Sequence, residues 1–167
     1  ADHLISVLEE NGLRIGHDSI LDPAAGGSAF LVPLAKRLIS DPFLSTNGVI
    51  ETSLNTLHGI EIEPRLARIS TALLRDVIFR YRGVSASDFK PNVLCGNTLT
   101  KNEPETLYDA IIGNPPYGRI YRPSAIKRAR FPSATGEGYA NLYALFIEQA
   151  LRWVRPGGLI GLILPTS

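Results

Sequence analysis

Asn114-Pro115-Pro116-Tyr117 is the stretch whose residue types could do chemistry. Tyr108-Asp109-Ala110-Ile111-Ile112-Gly113 leads into it as a strand-like run. Proline has no N–H to give a sheet ladder, so a strand must stop there. Each proline also moves the preceding residue out of the α region, which predicts extended backbone at Asn114 and Pro115. The product is a rigid corner carrying a carboxamide, a free backbone carbonyl and an aromatic ring. Such a corner can accept two hydrogen bonds from one planar amine and stack on the ring bearing it. The same residue types also build plain turns, so the choice rests on what surrounds them.

Two acidic residues stand at similar corners. Asp22-Pro23-Ala24-Ala25-Gly26-Gly27-Ser28 follows the short run Ser19-Ile20-Leu21. This is the strand, glycine turn and helix order of a nucleotide-binding α/β domain, with the helix expected to start near Ser28. It is not G-x-G-x-x-G. An acid at the strand tip suits a ligand offering a positive charge or hydroxyls rather than a pyrophosphate. Glu61 ends Leu57-His58-Gly59-Ile60, the position from which an acid accepts both hydroxyls of a ribose. Glu63 is the rival, and either acid would also suit a helix start. Asn97 follows the run Asn92-Val93-Leu94-Cys95. His3, His17 and His58 have no metal-ligand spacing, and we read them as structural or surface residues.

These groups need a frame. A short helix is expected over Asp2–Leu8, ended by Asn11-Gly12. Residues 41–55 look like an irregular connection. Pro64–Arg82 reads as a helix with the stripe Leu66, Ile69, Leu73 and Val77, widened by Leu74 and Ile78 and closed by Gly83. Cys95 is expected to be a buried strand residue. Residues 118–138 form a long segment of little periodicity holding Arg119, Arg122, Lys127, Arg128 and Arg130, opposed by Glu137. Such a segment is either a solvated loop or a phosphate contact. Asn141 is expected to cap a helix running to Val154, with Pro156-Gly157-Gly158 ending it and Leu159–Leu164 a fifth, apolar strand. Alternating strands and helices predict an α/β fold with a doubly wound, mostly parallel sheet. Asp22, Glu61, Asn97 and Asn114 then all fall at the strand ends where open sheets bind ligands.

Composition adds limits. The chain has 167 residues, 44% hydrophobic and 20% charged, consistent with one domain over 1–167. A formal net charge of +1 gives no global nucleic-acid signal, so any such surface must be local. One cysteine excludes an internal disulfide. No apolar run reaches membrane-spanning length and no signal peptide is visible, so a cytoplasmic location is expected. With no methionine anywhere, the first residue is not expected to be the natural start.

Together these motifs resemble the S-adenosylmethionine-dependent DNA methyltransferases that modify the exocyclic amine of adenine. Residues 22–31 resemble the first cofactor motif, and Gly59-Ile60-Glu61-Ile62-Glu63-Pro64 the second. Asn114-Pro115-Pro116-Tyr117 is similar to the catalytic motif. Asn141-Leu142-Tyr143-Ala144-Leu145-Phe146 and Arg155-Pro156-Gly157-Gly158 resemble the helix and turn that follow. The resemblance implies a Rossmann-like methyltransferase fold, cut before its last two strands and its target-recognition region. It implies S-adenosylmethionine held by Asp22, Ala24, Gly26, Glu61, Ile62, Asn97 and Phe146. Asn114, Pro115, Pro116 and Tyr117 would act on a flipped adenine of DNA, in a restriction-modification system with possible partner subunits. The catalytic motif also occurs in methyltransferases of protein glutamine and RNA bases. Those substrates, and a non-catalytic cofactor-binding subunit, are the alternatives. Two departures stand out: Ser28 replaces a family glycine, and Asn97 replaces a family acid.

Overall fold

The computed structural model describes residues 1–82, 90–135 and 139–165. Five strands form one sheet: β1 (Ile20–Asp22), β2 (Leu57–Glu61), β3 (Asn92–Cys95), β4 (Tyr108–Gly113) and, at the far edge, β7 (Val154–Leu162). Their order is β3-β2-β1-β4-β7, and every pairing is parallel. The helices are α1 (Asp2–Glu10), α2 (Leu31–Ile39), α3 (Thr46–Thr56), α4 (Pro64–Arg82), α5 (Ala125–Arg130) and α6 (Leu142–Trp153). A small antiparallel ribbon joins β5 (Arg119–Tyr121) to β6 (Tyr139–Asn141).

The strands' period of two explains why both faces need helices. Ile20, Ala110 and Ile112 point to one side and pack with Ile5, Leu34, Val49, Leu74 and Ile78 of α1 to α4. Their neighbours Leu21 and Ile111 point to the other, where Ala150 and Trp153 of α6 cover them. This is the expected doubly wound α/β fold. The strand order reverses between β1 and β4, and that switch point is where such sheets open a crevice. Among the described residues no helix is long and apolar enough to cross a membrane.

Several local expectations change. Residues 46–56 are helical, with the Ser45 Oγ accepting from the Gly48 N–H at 3.1 Å. Thr, Asn and Gly in its first turn hide that helix from propensity arguments. The helix after the glycine turn begins at Leu31 rather than near Ser28, because Ser28 sits at φ 62, in the left-handed region that favours glycine. The Ser28 hydroxyl lies buried against the Ser70 hydroxyl, which offsets that backbone cost.

That contact lies on the packed side of α4. Its buried face is Ala67, Ser70, Leu74, Val77 and Ile78, while Leu66, Ile69 and Leu73 stand 38–48% exposed. Small residues let α4 approach its neighbours closely, so the apolar stripe expected from the sequence is only partly the packed one. Cys95 is exposed, not buried, because β3 ends the sheet and has a neighbour strand on one side only.

Asn141 occupies the position before α6 but makes no side-chain cap; its Nδ2 donates to the Tyr143 hydroxyl at 3.1 Å. The last strand starts at Val154, five residues before the expected point. Pro156-Gly157-Gly158 is a bulge within it: Tyr108 pairs with Val154 but Ala110 with Leu159. Gly83, Glu137, Gly138, Thr166 and Ser167 lie outside the described residues.

Candidate active site

The site grows from the tips of β1 and β4, neighbours at the switch point. Asp22 ends β1, is 1% exposed, and its Oδ1 accepts from the Ala24 N–H at 3.0 Å. Gly113 ends β4 beside it. A Cβ on Gly113 would lie 2.9 Å from Asp22 Oδ1 and 3.3 Å from Pro23 Cδ, so only glycine lets these two strand tips meet. Burial pushes the Asp22 carboxyl up to about 7; the Glu61 charge adds to this and the Ala24 N–H opposes it.

Glu61 ends β2 and is buried. Its Oε2 accepts from the Gly26 N–H and its Oε1 from the Glu63 N–H, each at 2.8 Å. Gly26 has φ 51, a conformation that glycine adopts without strain. Two fixed donors hold the carboxylate still, and each oxygen keeps a lone pair to spend. The rival acid Glu63 is used locally: its Oε2 accepts from the Leu66 N–H at 2.8 Å, in the first turn of α4.

A cavity of about 360 Å³ opens over these tips, within the size range of small-molecule sites. Ala24, Glu61, Ile62, Asn97, Asn114, Pro116 and Phe146 line it, seven of the expected site residues drawn from five separate segments. Four expected residues are not in its wall. Asp22 lies buried against the Gly113 backbone, and Gly26 stands behind Glu61. Pro115 is buried. Tyr117 stands outside, 52% exposed, and its hydroxyl donates to Asn114 Oδ1 at 2.9 Å. Asn97 Oδ1 already accepts from the Leu99 N–H at 3.0 Å, in a short 3-10 turn (Thr98–Thr100). The Thr98 hydroxyl donates to the Pro23 carbonyl at 2.5 Å, tying that turn to the glycine loop.

Some wall residues went unassigned in the sequence. Leu99 and Leu142 line the cavity and belong with Phe131, Leu145 and Phe146 to one buried cluster. Lys127 brings a cation to the wall from α5. The basic segment is therefore not a structureless loop. It folds as β5, α5 and a buried Phe131, with the Ser124 Oγ accepting from the Lys127 N–H at 3.2 Å to start α5. Its cations divide accordingly. Arg119 stacks over Tyr139 at 4.9 Å, Arg128 donates to the Pro123 carbonyl, and Arg130 donates to the Lys101 carbonyl. The amphipathic step Lys127 to Phe131 was the available signal, but one turn of helix is too short for a period to show.

Chemically, the cavity offers a fixed carboxylate at one side and a carboxamide at another, with apolar walls between them. Among the described residues no cluster of His, Cys, Asp and Glu could hold a metal ion.

Comparison with known proteins bears on what fills it. A family model described as the Eco57I restriction-modification methylase matches residues 55–167. The Type II methyltransferase M.XhoI of Xanthomonas vasicola is 27% identical over 173 residues, covering 96% of this chain and 30% of that protein. The Type II restriction enzyme and methyltransferase RM.BcgI of Heyndrickxia coagulans is 30% identical over 171 residues, covering 99% of this chain and 23% of that protein. The chain thus spans less than a third of the length of these relatives. Among solved structures, a Listeria monocytogenes protein described as a class I S-adenosylmethionine-dependent methyltransferase aligns with TM-score 0.63 and 21% identity, over 97% of this chain and 50% of that one. The Type ISP restriction-modification enzyme LlaGI aligns with TM-score 0.71 and 20% identity, over 94% of this chain and 16% of that one. At such identities the structures speak for the fold.

Proposed function

As this chain belongs to the Eco57I restriction-modification methylase family, we propose that it transfers a methyl group from S-adenosylmethionine to the exocyclic amine of adenine in DNA. The observation that carries the proposal is the shared cavity: the Glu61 carboxylate and the Asn114 carboxamide open onto one space at the switch point of the sheet.

The residues fit the cofactor. Glu61, held by two backbone donors, has acceptor capacity left for a ribose diol. Ile62, Leu99 and Phe146 supply apolar wall for a purine, with Asn97 at its edge. Bound S-adenosylmethionine would supply an electrophilic methyl group on a sulfonium.

The amine of adenine is a poor nucleophile, because its lone pair is delocalised into the ring. Asn114 Oδ1 and the Pro115 carbonyl accept hydrogen bonds from its two N–H groups and draw the nitrogen towards tetrahedral geometry; once methylated, the cationic nitrogen is strongly acidic and releases one proton to water. The positive charge that develops on nitrogen is stabilised by these two oxygens, with no base required. Tyr117 has two parts in this. Its hydroxyl donates to Asn114 Oδ1 and so holds the amide, leaving that oxygen a second lone pair for the amine. Its half-exposed ring offers a face for the base. A paired adenine cannot reach this pocket, so the target must leave the duplex. Arg119 and Arg122, exposed beside the corner, suit the flanking phosphates. RM.BcgI is named as both restriction enzyme and methyltransferase, and a nuclease partner or fused domain belongs to the same proposal.

The test is Asn114→Ala in the full-length enzyme, assayed by methyl transfer to duplex DNA with base analysis of the product. Turnover should fall about a hundredfold or more with cofactor affinity retained, as for other lost transition-state acceptors. Near-parental turnover would return Asn114 to the role of a turn residue, and methylcytosine as the product would overturn adenine as the target.

A further inference from the structure

One turn further along both α5 and α6, a second recess of about 470 Å³ is lined by Asn102, Glu103, Arg130, Gln149 and Arg152. It shares no lining residue with the cavity around Asn114. Gln149 is 1% exposed, yet neither its Nε2 nor its Oε1 has a hydrogen-bond partner, and the buried Nε of Arg130 has none either. Buried polar atoms are almost always matched, so three orphans around one recess need an explanation. Packing does not provide it. Gln149 interrupts an otherwise apolar buried face of Leu145, Phe146, Ala150 and Trp153, where a leucine would avoid the desolvation cost.

The cations around it are fixed in advance. Arg130 and Arg152 lie over the ring of the buried Phe131, at 5.7 and 5.2 Å from its centroid. Arg130 donates to the Lys101 carbonyl, and Arg152 to the Arg130 carbonyl and, at 2.6 Å, to Glu148 Oε1. Glu148 therefore balances Arg152, while among the described residues no carboxylate is paired with Arg130. The unmatched atoms define the ligand. Arg130 Nε–H and the Gln149 NH₂ want acceptors, and Gln149 Oε1 wants a donor. Glu103 at the rim is a further acceptor that disfavours a fully ionised ligand.

We propose that this recess is a second binding site, for a small oxyanion that carries its own hydroxyl: hydrogen phosphate, or a phosphomonoester in its singly protonated form. Sulfate, a carboxylate and a phosphodiester have only acceptors to offer and leave Gln149 Oε1 unmatched. A duplex backbone is excluded by the same chemistry, since its phosphodiesters carry no hydroxyl.

Thermal denaturation and calorimetry of the purified protein with inorganic phosphate test the site. At about a hundred times its Kd, phosphate should raise Tm by roughly 5–10 °C. Sulfate should bind about tenfold more weakly, the cost of one unmatched buried acceptor. Gln149→Leu should keep or raise Tm in phosphate-free buffer and lose the phosphate response. Arg130→Lys, which keeps the charge but not the Nε–H, should weaken it. In a parallel titration, a phosphomonoester without a nucleoside, glycerol 2-phosphate, binding more tightly than inorganic phosphate would mark an ester as the ligand, and weaker binding the free ion. No difference between phosphate and a neutral salt of matched ionic strength, or a response that survives in both variants, would overturn the site and leave ordered water as its occupant.

Discussion

Asp22→Asn should remove the part of the pH-dependent stability that arises at the base of the candidate active site. Asp22 is 1% exposed, and its carboxyl is pushed from 3.8 to about 7, chiefly by burial. A raised folded-state value means that the native chain holds a proton the unfolded chain has released. Stability from this group is therefore fully present below about pH 4 and declines as pH rises to about 7, with no further change above. A shift of about 3 units corresponds to roughly 4 kcal/mol at 1.36 kcal/mol per unit. Solvent screening does not reduce this figure, since the group is buried. Asparagine has nearly the same shape and keeps an oxygen for the Ala24 N–H, so the substitution removes the charge with little else. The assay is urea unfolding of both proteins from pH 4.5 to 8.5, comparing midpoints at constant m. His58 and every other titrating group cancel in the difference. The variant should exceed the parent by only about 1 kcal/mol near pH 4.5 and by up to about 4 kcal/mol at pH 8. A difference that stays flat across this range would refute the reasoning, because Asp22 would then have the same proton affinity folded and unfolded.

Glu61→Ala should weaken S-adenosylmethionine binding by roughly 1–3 kcal/mol, the scale of a charge-assisted hydrogen bond, and equal affinities by calorimetry would exclude its ribose role. Gly113→Ala forces a Cβ to within 2.9 Å of Asp22 Oδ1; overpacking of this kind costs about 1–3 kcal/mol, and a Tm within about 1 °C of the parent would show that the strand tips can separate freely. Replacing Arg119 and Arg122 with alanine should lower DNA affinity alike for unrelated duplexes and flatten its salt dependence by about one to two units of slope. Loss confined to one sequence would instead place base readout in this ribbon.

Much of the fold was legible because the deciding signals are local. Short apolar stretches such as Ile20-Leu21, Val93-Leu94 and Ala110-Ile111-Ile112, bounded by glycine, proline and polar residues and alternating with helical periods, announce a parallel α/β sheet. The proline pair after Gly113 stops β4 wherever that strand lies, and Glu61 ends its strand as expected. Where the sequence misled, the outcome depended on partners remote in the chain. The face of α4 that packs holds Leu74, Val77 and Ile78 but also Ser70, which meets Ser28 across 42 residues, in place of Leu66, Ile69 and Leu73. Cys95 is exposed because β3 is an edge strand, a property of strand order that no window around residue 95 contains. The basic segment folds because Phe131 finds Leu99 and Phe146, and only then does Lys127 reach the cavity wall. The sequence by itself determined the chemical groups and the strand ends that carry them. Tertiary structure alone decided that Ala24, Glu61, Asn97, Asn114 and Phe146 share one wall, and that Asp22 lies buried with a raised proton affinity. The physical reason is that burial and mutual distance are set by strand order and crossovers, whereas backbone preference and periodicity are written within a few residues.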